Sequence, residues 1–131
     1  MLALSRTPTT PQPTPAPVLD EASLQRLHEL DPLGENRVVE RVLRAFEASL
    51  TRLLPQSALA LQQGDQEALR HVVHTLKSSS ASVGALALSA LCAQVEQHLR
   101  TAQPGDVGSL LDAMLGEMQR VSGAVQAMLR T

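Results

Sequence analysis

Seven apolar residues near the end of the sequence, Val107, Leu111, Met114, Met118, Val121, Val125 and Met128, recur at alternating steps of four and three. That spacing lines them up along one side of an α-helix, and a helix with such a seam has to bury it against other helices. A strand cannot use the pattern, because its side chains change face at every residue. The rest of the chain agrees, with no alternating apolar stretch of useful length and no Asn-Gly or Asp-Gly hairpin dipeptide. A single Phe and no Trp or Tyr leave the core to Leu, Val and Ala, which suits helices.

Four further helices can be placed ahead of this one. Asp20 is a good N-cap for a short amphipathic helix from Glu21 to His28, which Asp31-Pro32 should end. From Asn36 a second helix carries Val39, Val42, Leu43, Phe46, Leu50 and Leu53 at helical spacing, with Pro55 as a kink that can divide it in two and Gln62-Gln63-Gly64 as its stop. Asp65 caps a third helix reaching about Ser82, Gly84 ends it, and a fourth follows from Ala85 to about Thr101. Pro104-Gly105-Asp106 turns the chain into the seam helix. The expected fold is all-α: an antiparallel up-down four-helix bundle over residues 18–131 with a short extra N-terminal helix. Residues 1–17 hold five of the eight prolines among Thr, Gln and Ala, the composition of a disordered tail or linker, and both a native start at Met1 and a place within a larger protein are compatible with it.

Charge and composition narrow the function. Eleven Lys and Arg against 13 Asp and Glu give a net charge of -2, which offers no basic surface for nucleic acid. No segment approaches the roughly 20 apolar residues of a membrane span, and no leader pattern opens the chain, so no direct membrane insertion is expected. Cys92 is the only cysteine, which excludes an internal disulfide and fits the cytoplasm. No glycine-rich phosphate cradle is present.

Setting Leu76 at the centre of a helical wheel for residues 66–83 gathers Leu69, Val72, Val73, Ser80 and Val83 within about 60° of it. That face is the expected core. His74 then points roughly 160° away, beside Glu67, Arg70, His71, Ser78 and Ala81. A solvent-exposed imidazole keeps a large neutral, nucleophilic fraction near pH 7 and is able to attack a phosphoryl donor. Lys77 is one turn on, close enough for its ammonium to reach a phosphoryl group on the ring. Ser78 and Ala81 are small enough to let a partner approach, and with Glu67, Arg70 and His71 they form the expected docking surface. The bland readings are a solvated surface histidine for His74, a rim contact for His71, ordinary side chains for His28 and His98, and core positions for Cys92 and the seam methionines. Ser79 and Ser80 read as tight-packing residues that bond back to the preceding turn. His71 and His74 alone make a poor metal site, and none is expected.

The stretch His74-Thr75-Leu76-Lys77-Ser78-Ser79-Ser80, followed by Val83-Gly84-Ala85, Leu88, Leu91-Cys92 and Val95-Glu96, resembles the signature of histidine phosphotransfer (HPt) domains, over roughly residues 34–100. The resemblance implies His74 as phosphoacceptor, Lys77 as assisting cation and Gly84 as the turn between two helices. Ser78 departs from the glycine most common at its position. The resemblance further implies a phosphocarrier with no ATP site, autokinase activity or cofactor of its own. Its partners would be receiver domains of response regulators or hybrid sensor kinases, which bring the aspartate and Mg²⁺. A monomer in the cytoplasm is expected, either free or as the C-terminal domain of a membrane-bound hybrid kinase. The alternative is the dimerising phosphoacceptor domain of a histidine kinase. An acidic residue usually follows the histidine there, whereas Thr75 follows His74. A purely structural or inhibitory bundle is a third reading.

Overall fold

The computed structural model describes residues 18–101 and 107–130. Five helices follow one another in it: α1 (Glu21–Glu29), α2 (Val38–Gln63), α3 (Gln66–Val83), α4 (Leu86–Thr101) and α5 (Val107–Arg130). There is no strand among the described residues. The tail expected over residues 1–17 and the Pro104-Gly105-Asp106 turn lie outside them. No helix is long and apolar enough to cross a membrane among the described residues.

The termini show why the chain breaks where it does. The Asp20 carboxylate accepts the Ser23 N–H at the start of α1, and the Asp65 carboxylate accepts the Ala68 N–H at the start of α3. Each satisfies a donor the helix cannot pair itself, worth about 1 kcal/mol. Gly64 and Gly84 close α2 and α3 in the left-handed conformation, at φ 66° and 85°. Helix α2 departs from expectation twice. It starts at Val38, not Asn36, behind a left-handed Arg37 with no side-chain cap. The largely buried Asp31 caps it from across the loop, accepting the N–H groups of Asn36 at 2.9 Å and Val38 at 3.3 Å. Pro55 does not divide α2, which runs unbroken through it. The carbonyl that loses its bond belongs to Thr51, on the exposed face where solvent can serve it.

Each of α2 to α5 packs on its neighbours in sequence, and α2 against α5 closes the ring, while α1 lies across α2 and α3. Short connections at Gly64-Asp65 and Gly84-Ala85 make consecutive helices antiparallel. Leu69, Val72, Val73, Leu76, Ser80 and Val83 are all buried, as the wheel requires, against Leu43, Phe46 and Leu50 of α2 and Leu88, Cys92 and Val95 of α4. The seam of α5 is buried from Leu111 to Val125, but Met128 is 37% exposed and Leu129 packs on the core instead. A straight helix at 3.6 residues per turn drifts about 20° per heptad from a seven-residue repeat, so the seam has rotated out by the last turn.

The α3–α4 turn holds the most crowded of the glycine positions among the described residues. Gly84 donates to the carbonyls of Ala81 and Ser80, its own carbonyl accepts the Asp20 N–H at 2.8 Å, and Ala85 donates to Ser80 at 2.8 Å. A Cβ on Gly84 would stand 2.9 Å from the Ser23 Cβ and 3.0 Å from the Asp20 backbone, whereas one on Gly64 would meet nothing within 4 Å. Both positions carry the left-handed penalty, and only Gly84 adds a backbone clash. Gly64→Ala should therefore cost about 1 kcal/mol and Gly84→Ala about 2–4 kcal/mol in urea unfolding, with α1 displaced in the latter. Equal costs at the two sites would contradict this account.

Candidate functional site

His74 sits in the middle of α3 and its side chain is 71% exposed. The core stripe on the opposite side of α3 fixes its direction, so the ring is presented on a rigid rod. Glu67, Arg70, His71, Ser78 and Ala81 are exposed around it as expected. Lys77 is half-buried one turn on.

The arrangement the sequence did not announce is the role of Glu96. This α4 residue reaches across to α3 and takes both candidate side chains at once. His74 Nδ1 lies 2.8 Å from Glu96 Oε2, and Lys77 Nζ donates to Glu96 Oε1 at 2.5 Å. Lys77 is thus held by a carboxylate in this state, not poised free beside the imidazole. Glu96 is only 19% exposed, which strengthens both bonds. They hold the Glu96 carboxyl below the usual carboxylate range, the Lys77 bond contributing most and the His74 bond next. An ionised carboxylate can only accept, so His74 Nδ1 must carry the proton, and a neutral ring then has its lone pair on Nε2, facing solvent.

Helix α4 is set in register for this contact. Ser89, two turns before Glu96 and so on nearly the same face, donates its hydroxyl to the Lys77 carbonyl at 2.9 Å. Between them Cys92 is fully buried, and burial, with the Glu96 charge adding to it, pushes its thiol up to about 12, leaving it a packed and unreactive side chain. Ser79 bonds back to the Thr75 carbonyl at 3.1 Å, whereas the buried Ser80 hydroxyl, expected to do the same, has no hydrogen-bond partner among the described residues.

Around His74 the surface forms an open depression of about 630 Å³, walled by Glu67, Arg70, His71, Glu96 and Arg100. Arg100, on α4, was not legible as part of the site. Among the described residues no group of three or more His, Cys, Asp or Glu could hold a metal ion. What the geometry offers is one oriented, water-accessible nitrogen nucleophile with an acid residue behind it and cations at its rim.

Comparison with known proteins agrees with this geometry. The family model described as Hpt domain matches residues 41–124. Among solved structures, histidine-containing phosphotransfer protein B of Pseudomonas aeruginosa PAO1 superposes with a TM-score of 0.75 at 28% identity, covering 88% of this chain and 96% of that one. The HPT domain of a sensor hybrid histidine kinase from Shewanella superposes with a TM-score of 0.74 at 22% identity, over 86% of this chain and 94% of that one, a likeness of fold. No curated protein sequence matches the chain.

Glu96→Gln tests the clasp. Long-range nitrogen–proton NMR should find the Nδ1–H tautomer of His74 dominant in the wild type and a mixture in Glu96→Gln. Because the folded-state value of Glu96 is depressed, its stabilisation is complete above the ordinary glutamate range and lost as pH falls through the lowered value. The stability difference between wild type and Glu96→Gln should hence be flat just above about pH 5 and shrink in stronger acid.

Proposed function

As the chain belongs to the Hpt domain family, we propose that His74 accepts a phosphoryl group from a receiver-domain aspartate and passes it to another receiver domain. The observation that carries the reading is the oriented Nε2, exposed on one side while Glu96 holds Nδ1 on the other. Its lone pair attacks the phosphorus of the partner's aspartyl phosphate, the N–P bond forms as the P–O bond to the aspartate breaks, and the ring becomes cationic. The Glu96 carboxylate lies against that new charge. The reverse sequence delivers the group to a second aspartate.

Phosphoryl transfer asks little covalent work of the acceptor, and position and charge neutralisation dominate. In this reading the partner supplies Mg²⁺ and the aspartate, and the chain is a phosphocarrier with no autokinase activity. Lys77 is one turn from His74 and can exchange Glu96 for a phosphoryl oxygen once the ring is modified. The small Ser78 and Ala81 keep the approach open. Residues 18–131 are the working module, and residues 1–17 a Pro/Thr-rich tail or linker ahead of it. Closure of the four-helix ring within one chain favours this reading over a dimerising kinase domain, which assembles its bundle from two.

Incubation with phosphorylated receiver domains should give acid-labile, base-stable label on the wild type and none on His74→Gln; undiminished labelling of His74→Gln would overturn the assignment. Lys77→Ala should slow transfer by only roughly two- to fivefold, the worth of a partly exposed charge contact.

A further inference from the structure

The depression beside His74 does not end at α3. It continues past Ala68 and His71 into a second hollow, of about 230 Å³, between α2 and α3, where Gln56, Leu59, Ala60 and Val72 form the walls. Leu59 stands in that hollow 51% exposed. We propose that Leu59 is the apolar anchor by which the receiver domain that exchanges phosphate with His74 grips this chain, so that the docking surface extends from α3 onto α2.

The inference rests on the phosphocarrier reading, which requires a globular partner to seat over His74. A specific interface covers about 800 Å² on each partner, a disc of roughly 16 Å radius. Leu59 shares a hollow with His71, one helical turn from His74, and falls inside it. Binding energy concentrates in a few large side chains that become fully desolvated, while charges at the rim mostly guide encounter. On α3 and α4 the exposed residues near His74 are charged, polar or small: Glu67, Arg70, His71, Ser78, Ala81 and Arg100. They offer no such anchor.

The other large exposed apolar residues lie elsewhere. Leu61 points about 200° around α2 from Leu59. Leu86 is at the start of α4, about 15 Å along the axis from Glu96. Leu30 and Leu33 precede α2, about 30 Å from Leu59 along its axis, and Met128 is in the last turn of α5. Among the described residues, Leu59 alone combines exposure, size and continuity with the His74 ring. The surface it completes is two-sided, with a polar depression toward α4, where Arg70 and Arg100 stand with Glu67 and the Lys77-bonded Glu96, and an apolar slot toward α2. It fits a receiver that sets an aliphatic side chain into the slot while its phosphorylated aspartate reaches His74.

Single-turnover transfer from a receiver domain that phosphorylates the wild type, followed over a range of receiver concentrations, is the test. Leu59→Glu should raise the half-saturating concentration about tenfold or more, and Leu59→Ala about threefold, with the transfer rate at saturation unchanged. Leu33→Glu, a comparable change at an exposed leucine about 30 Å from Leu59, should leave both values within twofold. Circular dichroism of each variant checks that the bundle is intact. A half-saturating concentration unchanged in Leu59→Glu, or a saturated rate that falls instead, would overturn the proposal. So would a self-associated wild type that Leu59→Glu makes monomeric, since that would give the slot to a second copy of the chain. If no receiver labels the wild type, the phosphocarrier reading fails and this inference with it. If labelling proceeds and ignores Leu59, only the inference fails.

Discussion

The register of α4 against α3 is the constraint on which the rest of the structure depends. It is fixed at Gly84, where the chain reverses in a left-handed conformation so tight that a Cβ would collide with the Asp20 backbone. From that pivot α4 runs back along α3. Ser89 meets the Lys77 carbonyl, Cys92 disappears into the core, and Glu96 arrives beside His74 and Lys77. A slip of one residue would turn Glu96 by about 100° and break both bonds. The turn glycine and the reactive ring are ten positions apart in sequence but mechanically linked.

The N-terminal helix belongs to the same linkage. The Asp20 N–H is bonded to the Gly84 carbonyl, and the Asp20 carboxylate caps α1 and accepts from Ser23, whose Cβ faces the same glycine. Among the described helices α1 touches α2 and α3 alone, so its contribution is to lock the turn and not to complete the ring. A short helix outside the bundle has a reason to exist in this geometry.

Much of this was legible in the sequence because it is local. Asp20 and Asp65 cap the helices that follow them, Gly64 and Gly84 end those that precede them, and the α3 wheel sorted buried from exposed without error at Leu69, Val72, Val73, Leu76, Ser80 and Val83. What escaped is what a wheel cannot hold. Glu96 pairs with a residue 22 positions away on another helix, and a wheel reports direction within one helix, not what a neighbouring one brings opposite. Asp31 looked like the end of α1 and proved also to be the cap of α2, seven residues from Val38. Arg100 and Leu59 gained meaning only when three helices were set side by side. Met128 was misplaced because a strict heptad count ignores the drift of a straight helix.

The double engagement of Glu96 bears on how a phosphocarrier can work in both directions. A relay needs its intermediate to be neither too stable nor too reactive, and a carrier that neutralised the phosphoryl group fully would trap it. Here the nearby ammonium is bonded to Glu96, so it can turn to a phosphoryl oxygen only by giving up a charge-assisted bond. The gain on phosphorylation is the difference between two similar contacts, not the whole of one. Meanwhile the Glu96 oxygen on Nδ1 stays where it is needed, against a ring that becomes cationic in the proposed reaction. One carboxylate thereby orients the nucleophile and meets the charge that develops on it. In the proposed reaction it would also keep Lys77 from contributing its full strength, which would leave the partner to set the direction of transfer.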